Sequence, residues 1–247
     1  MQSDRAIGLL ARYDSYFRTQ RADTATLLRT AQAIRYQVYC LERKFEKACE
    51  HDDRLERDAW DGQSIHSVIF HRPTSDAIGT VRLIVPHSNA TLPVEQLLRG
   101  NGVRAGDCFP QISTAEVSRF AISNEFRRRR CDGVFTTEDM RHKREAECRS
   151  NLPCLGLIQD LVRQSLASGV THWAAVMEPK LLRMLAAMGI HFTTIGPLVS
   201  HHGLRQPAYC ELNFMLERLR REHPDHWMVV SNGGALLPAA VAQRRAA

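Results

Sequence analysis

Apolar positions recur at helical spacing near the N-terminus and gather into short runs bounded by turn residues through the middle and towards the end. Residues 4–18 scatter charges among apolar positions and suit a short amphipathic helix lying on the body. Asp23-Thr24 offers an N-cap before ATLLRTAQAIRYQVYCLER. There Leu27, Ala31, Ile34, Val38 and Leu41 step by three and four, while Arg35 and Arg43 fall off the stripe. Residues 44–62 are charged and aperiodic, and read as a loop. Ser64–His71 and Ala77–Val85 read as strands joined by the turn HRPTSD. VEQLLRG is a short helix stopped by Gly100, and Ile112–Ser123 a long strand. Residues 124–150 are polar and read as a mobile excursion. Leu155–Ser168 then predicts a helix and Thr171–Met177 a strand. Pro179 opens a helix through LLRMLAAMG that Gly189 ends, and His191–Ile195 and Ala208–Leu216 are further strands.

A helix, consecutive strands and then strand–helix alternation predict an α/β (α+β) fold, a mixed sheet with helices on its faces. The division expected is an N-terminal helix or arm over 1–22, one domain over 23–235, and a flexible tail over 236–247. At 247 residues with 44% hydrophobic content, a sizeable core needs no disulfide or structural metal. The net charge of +6 allows an acidic partner: nucleic acid, an anionic membrane or an acidic carrier protein. The cysteines are Cys40, Cys49, Cys108, Cys131, Cys148, Cys154 and Cys210. Their odd count and lack of any CxxC pair exclude a disulfide framework or zinc ribbon, and suit reduced thiols in a bacterial cytoplasm. Cys148 and Cys154 near His142 fit no metal spacing, so no metal is expected. The first residues lack a signal-peptide apolar region, and no stretch is long enough to span a membrane.

Four segments carry a likeness: Arg35-Tyr36-Gln37-Val38-Tyr39, Glu56-Arg57-Asp58-Ala59-Trp60-Asp61, Gly79-Thr80-Val81-Arg82-Leu83 and Glu116-Val117-Ser118-Arg119-Phe120-Ala121. Their order and spacing resemble the acyl-homoserine lactone (autoinducer) synthases and N-acyl amino acid synthases, a branch of the GNAT-like acyltransferases. The later segments MEPKLLRMLAAMGIHF and GPLVSHHGLRQPAY resemble acyltransferases that accompany exosortase/PEP-CTERM systems. The likeness runs from about residue 30 to about residue 216. It implies a mostly antiparallel sheet with a V-shaped split between two central strands. It also implies transfer of a long-chain fatty acyl group from a thioester to the α-amine of an amino acid. Where such proteins carry a Gly-rich pyrophosphate turn after the E-x-SRF strand, this chain has Phe126-Arg127-Arg128-Arg129-Arg130. That favours an acyl carrier protein, bearing its 4'-phosphopantetheine thioester, over acyl-CoA as donor.

Amide formation needs a neutral amine, a stabilised oxyanion, and the donor carbonyl and the amine held at attack distance. The resemblance places Glu116, Ser118 and Arg119 in the catalytic group, with Glu116 as general base, directly or through water; the alternative is a Glu116 that only pairs with Arg119 or Arg82. Residues 116 and 119 point to opposite faces of a regular strand, so a shared site demands a β-bulge near Ser118. Asp58 and Asp61, three apart, share one side of a helical turn and suit an acceptor ammonium; a solvated acidic loop is the plain alternative. Arg35 and Arg82, with Arg119, suit the acceptor's carboxylate or organise the acids. A charged Arg82 inside GTVRLIV demands a buried partner, with Glu116 one choice. Phe120, Ile122, Trp173 and Met177 are candidates to line the acyl and pantetheine channel, or plain core. Arg127, Arg128, Arg129 and Arg130 suit carrier docking or a solvated loop. His201 and His202 lack further metal ligands and suit a loop near the acyl channel.

Three rivals remain. A homoserine lactone synthase would take S-adenosylmethionine as acceptor. A nucleic-acid-binding protein would need aromatics or a recognition helix near Arg127–Arg130, and neither is there, so no nucleic-acid partner is expected. Attachment of the N-terminal helix to the inner-membrane surface is compatible with the acyltransferase reading.

Overall fold

The computed structural model describes residues 2–86, 91–124, 139–200 and 203–237, with the side chains of 2–7 and 139–150 left aside. Helix α1 (Gln2–Tyr16) runs straight into strand β1 (Phe17–Arg21). Helix α2 (Ala25–Arg35) starts at Thr24, whose hydroxyl accepts from the Leu27 N–H at 3.2 Å. It continues as a π-helix over Tyr36–Glu42, where the Arg43 N–H reaches back five residues to Val38. The wider turn rotates the end of the stripe. Cys40 is buried in place of Leu41, which is 47% exposed.

The remaining elements are β2 (Ser64–His71), β3 (Asp76–Ile84), α3 (Pro93–Gly100), β4 (Thr114–Ile122), α4 (Asp139–Ala167), β5 (His172–Met177), α5 (Pro179–Ala187), β6 (Thr193–Thr194), β7 (Val199–Ser200), β8 (Leu204–Glu211), α6 (Leu212–Glu222) and α7 (Pro224–Val230). The sheet order is β1-β2-β3-β4-β5-β8-β6, with β7 on β8. All pairs are antiparallel except β4–β5, and the architecture is the expected GNAT-like one.

Three expectations need correction. Helix α4 begins at Asp139, well inside the stretch read as a loop from its polarity. The strand placed over Ala208–Leu216 ends at Glu211; Leu212, Met215, Leu216 and Leu219 then form a helical apolar stripe that buries itself. Arg35 does not leave the apolar face but is fully buried, for a reason given below. Strand β1 and helix α7 had no counterpart in the pattern reading. The four-arginine run, His201, His202 and the tail beyond residue 237 lie outside the described residues.

One face of the sheet packs on α1, α4, α6 and α7 through the main core, which includes Leu9, Tyr13, Ile69, Val117, Leu155, Leu161 and Trp173. The other face carries α2 and α3 over two smaller apolar clusters, one around Val68, Phe70, Ile34 and Val38 and one around Ile84, Val94, Leu98 and Ala174. Between these clusters the sheet face turns polar.

Candidate active site

Two features of β4 shape the site. Its parallel pairing with β5 covers only Thr114–Glu116 against His172–Ala174, so the strands part beyond Glu116 and Ala174. On its other side the pairing with β3 jumps from Arg82↔Ser118 to Thr80↔Ala121. Two β4 residues, Arg119 and Phe120, thus face one β3 residue. Arg119 takes a left-handed φ of 51°. This is the bulge that the Glu116–Arg119 spacing demanded. It brings Arg119 to the face that Arg82, Glu116 and Ser118 already share, and sends Phe120 and Ile122 to the main-core side.

Arg35, Glu56, Asp58, Asp61, Arg82, Ser118 and Arg119 meet on that face. Arg35 Nε donates to Glu56 and its Nη1 to Asp61 (2.7 Å). Arg82 Nε donates to the Ser118 hydroxyl (2.9 Å), and its Nη1 to both Asp58 (2.5 Å) and Asp61 (2.7 Å). Arg119 Nη2 donates to Glu56 (2.8 Å) and Asp58 (3.0 Å). Three guanidiniums and three carboxylates neutralise one another, which is what lets Arg35 be buried completely. Arg82 has its buried partners in Asp58, Asp61 and Ser118, not in Glu116. The Asp58–Asp61 turn closes through Asp61 N–H to Asp58 C=O (3.2 Å), which aims both carboxylates at Arg82.

Burial raises the Asp58 carboxyl, but Arg82 and Arg119 outweigh it and hold the group at about 2. Burial likewise opposes, and Arg35 and Arg119 reverse, the shift of Glu56, which ends below the usual carboxylate range. His66, on β2 opposite Arg82, is pushed down by burial and by Arg35 and Arg82, against the pull of Asp61. Asp58 and Arg119 are the open side of the cluster, with side chains 23% and 22% exposed.

Glu116 stands apart from the ion pairs, where the split begins. Its Oε2 accepts the Val94 N–H in the first turn of α3 at 2.7 Å, and Oε1 accepts no hydrogen bond from the described residues. Burial lifts its carboxyl to about 7 against the pull of that N–H and of Arg82 and Arg119. Trp173 is fully buried in the main core, its Nε1 donating to Ser165 at 2.8 Å, and Met177 lies in the same core at the end of β5.

Sequence reasoning passed over Glu56, Gln32 and His66. Glu56 belongs to the Glu56–Asp61 segment, inside a run of charges that reads as a solvated loop. Gln32 donates to Asp61 at 3.4 Å and accepts from Arg57 at 3.2 Å. Among the described residues no group of three or more His, Cys, Asp or Glu side chains is arranged to hold a metal ion.

Residues 34–136 match the acetyltransferase (GNAT) domain family. Among solved structures, TofI in a ternary complex with an inhibitor and MTA has a TM-score of 0.59 at 16% identity, covering 83% of this chain and 94% of that one. The acyl-homoserine lactone synthase LasI has 0.56 at 21% identity, covering 85% and 96%. FeeM, an N-acyl amino acid synthase from uncultured soil microbes, has 0.52 at 13% identity, covering 82% and 94%. No curated protein matches the sequence. A split mixed sheet, a match to the GNAT domain family over residues 34–136 and these neighbours agree on the architecture: the chain has the fold of the acyl-homoserine lactone synthases and, over that segment, resembles a GNAT acetyltransferase domain.

Proposed function

We propose that the protein transfers a fatty acyl group from an acyl carrier protein thioester to the α-amine of an amino acid. The observation that carries this reading is the placement of the acid-rich cluster and Glu116 on one face at the opening of the β4–β5 split. A thioester lying in the split presents its carbonyl near Glu116. The acceptor's ammonium approaches the open side of the cluster, at Asp58. Glu116 Oε1, which accepts from none of the described residues, takes a proton from the ammonium, directly or through a water, and the neutral amine attacks the carbonyl carbon. The new N–C bond forms, the C–S bond breaks, and the departing thiolate recovers a proton. The Ser118 hydroxyl, fixed through Arg82 Nε, is placed to donate to the oxyanion. Phe120 and Ile122, turned to the opposite side by the bulge, suit the acyl and pantetheine path, with Trp173 and Met177 behind it.

Two features support a carrier-protein donor: the net charge of +6 and the Arg127–Arg130 run just after β4. The second reading, an acyl-homoserine lactone synthase, draws on the fold shared with TofI and LasI. S-adenosylmethionine also offers an α-amine beside a carboxylate. The deciding experiment supplies radiolabelled acyl-carrier protein or acyl-CoA, then each of the twenty amino acids or S-adenosylmethionine, and resolves the lipid products. N-acyl amino acid from the carrier-bound donor is expected. Lactone formed only with S-adenosylmethionine would replace the first reading by the second.

A further inference from the structure

The cluster's three arginines are matched by Glu56, Asp58 and Asp61, with Glu46 a further 3.9 Å from Arg119, so it holds no surplus positive charge for an anion. Yet the acceptor in the proposed reaction carries a carboxylate next to its amine. Across the split stands another arginine. In the β5–β8 register Ala174 faces Tyr209 and Val176 faces Pro207, so Arg205 falls on the same sheet face as Arg82 and Arg119. It lies just past the pairing of Met177 with Gln206, beyond the end of β5. Its guanidinium stacks 4.6 Å from the Phe45 ring centroid. Phe45 lies 6.2 Å from Tyr39, whose ring is 5.5 Å from the Arg119 guanidinium. An aromatic pair therefore spans the mouth of the split with one guanidinium at each end. The span is fixed: the Phe45 and Glu46 N–H groups both donate to the Tyr39 carbonyl, at 2.8 and 3.2 Å.

The donors of Arg205 are unevenly used. Nη1 donates to the Leu204 carbonyl and pairs with Glu178, each at 3.3 Å. Nε and Nη2 donate to no described residue. Stacking on Phe45 occupies the flat face of the guanidinium; the side chain is 10% exposed, and none of the described residues accepts from that edge. The Nε–Nη2 edge is the two-pronged one that matches a carboxylate.

We propose that Arg205 receives the acceptor's α-carboxylate through its Nε–Nη2 edge while the amine lies towards Asp58, which makes Arg205 a specificity-determining residue. This rests on the N-acyltransfer reading above. A doubly charged phosphate from the donor fits less well, because Glu178 stands beside the same guanidinium.

The test compares wild type, Arg205→Gln and Arg205→Lys, using the amino acid that wild type acylates best and the carboxamide of that amino acid. Arg205→Gln is expected to raise KM for the amino acid about tenfold or more, leaving kcat and the donor KM little changed, because one charge-assisted carboxylate contact is lost. It should also erase the preference for amino acid over carboxamide. Arg205→Lys should recover part of both. Retained preference, or an effect confined to kcat or to the donor KM, overturns the proposal. If Arg205→Gln does not fold, Arg205→Lys alone gives the same comparison, since it keeps the charge and loses the two-pronged edge. A wild type that acylates no amino acid and no S-adenosylmethionine sinks the functional reading and this proposal together; active wild type with unaltered selectivity in the variants sinks Arg205 alone.

Discussion

Glu116 is the residue whose two roles can be separated by experiment. Its carboxyl titrates near 7 in the folded protein against 4.5 as an ordinary glutamate, because burial disfavours the charge. Between about pH 4.5 and 7 the folded state keeps a proton that the unfolded chain has released, so this group lowers stability as pH rises through that window. Glu116→Gln still accepts from Val94 N–H and removes the buried charge. It should raise the stability measured by urea unfolding at pH 8 by roughly 1–3 kcal/mol and flatten its pH dependence. The same change should remove most acyl transfer, while wild-type kcat/KM climbs through about pH 7 as the base form appears. A variant neither more stable nor less active would leave Glu116 with no role beyond filling space. Arg35 makes the opposite case. Removing it leaves Glu56 buried without its nearest cation, so Arg35→Met should cost about 3–5 kcal/mol in the same unfolding assay. Adding Glu56→Gln should return part of that loss. Pattern reading put Arg35 off the stripe because a lone arginine on an apolar helix face is costly. Nothing in local spacing reveals that Glu56 and Asp61, over twenty residues away, fold back to meet it. The strand arginine was easier: a charge inside GTVRLIV required a partner, and only the partner's identity was missed.

At the scale of elements, legibility followed period. Strands β2 and β3 were readable to within a residue or two because short runs rich in β-branched and other apolar residues stand on either side of the turn HRPTSD, and both strands are buried on both faces. The bulge in β4 was deducible too, since two functional side chains an odd number apart cannot otherwise share a face. The π-helix was not: one extra residue per turn appears in sequence as an apolar stripe, and only the exposure of Leu41 and burial of Cys40 disclose the rotation. Strand β1 was hidden because FRTQR is polar and lies at the sheet edge, where pairing with β2 rather than burial defines it. The bulge also explains Gly79. A Cβ there would lie 2.8 Å from the Ala121 carbonyl oxygen and 3.1 Å from side-chain carbons of Ile122 and Ile69. Gly79→Ala must push β4 outward where Arg119 leaves regular strand geometry. It should cost about 1–3 kcal/mol by thermal or urea unfolding, as overpacked sites do. It should also depress kcat more than Ala substitutions at exposed strand positions, since the displaced strand holds Ser118 and Arg119. Unchanged turnover would mean that the bulge has slack the distances do not show.

At the scale of the molecule the cluster of arginines and carboxylates lies on one side of the sheet and the largest core on the other, and α1 belongs to that core. Leu9, Tyr13 and Phe17 are buried in it, and α1 lies so close to α4 that a Cβ on Gly156 would stand 2.5 Å from the Tyr13 ring. The apolar side of α1 is therefore already used, which argues against this helix as a membrane anchor; among the described residues no helix is long and apolar enough to span a bilayer. The contribution can be bounded. Burying three such side chains stabilises by about 1.5–3 kcal/mol each, and β1 adds a row of five paired residues to the sheet edge. Removing residues 1–21 should then cost at least about 5 kcal/mol, a large share of the about 5–15 kcal/mol a domain commonly has. The truncated chain should be recovered mainly as aggregate or melt far below the intact protein, and the intact protein should not float with anionic liposomes by way of α1. A truncated chain that stays folded and active would make the first 21 residues a dispensable arm; flotation lost on truncation, with fold and activity kept, would return α1 to the membrane. The opposite result follows from Leu9 and Tyr13 of α1 and from Phe17 at the start of β1: all three are buried, the Tyr13 and Phe17 rings stack 6.1 Å apart inside the core, and none of the three is available to a bilayer.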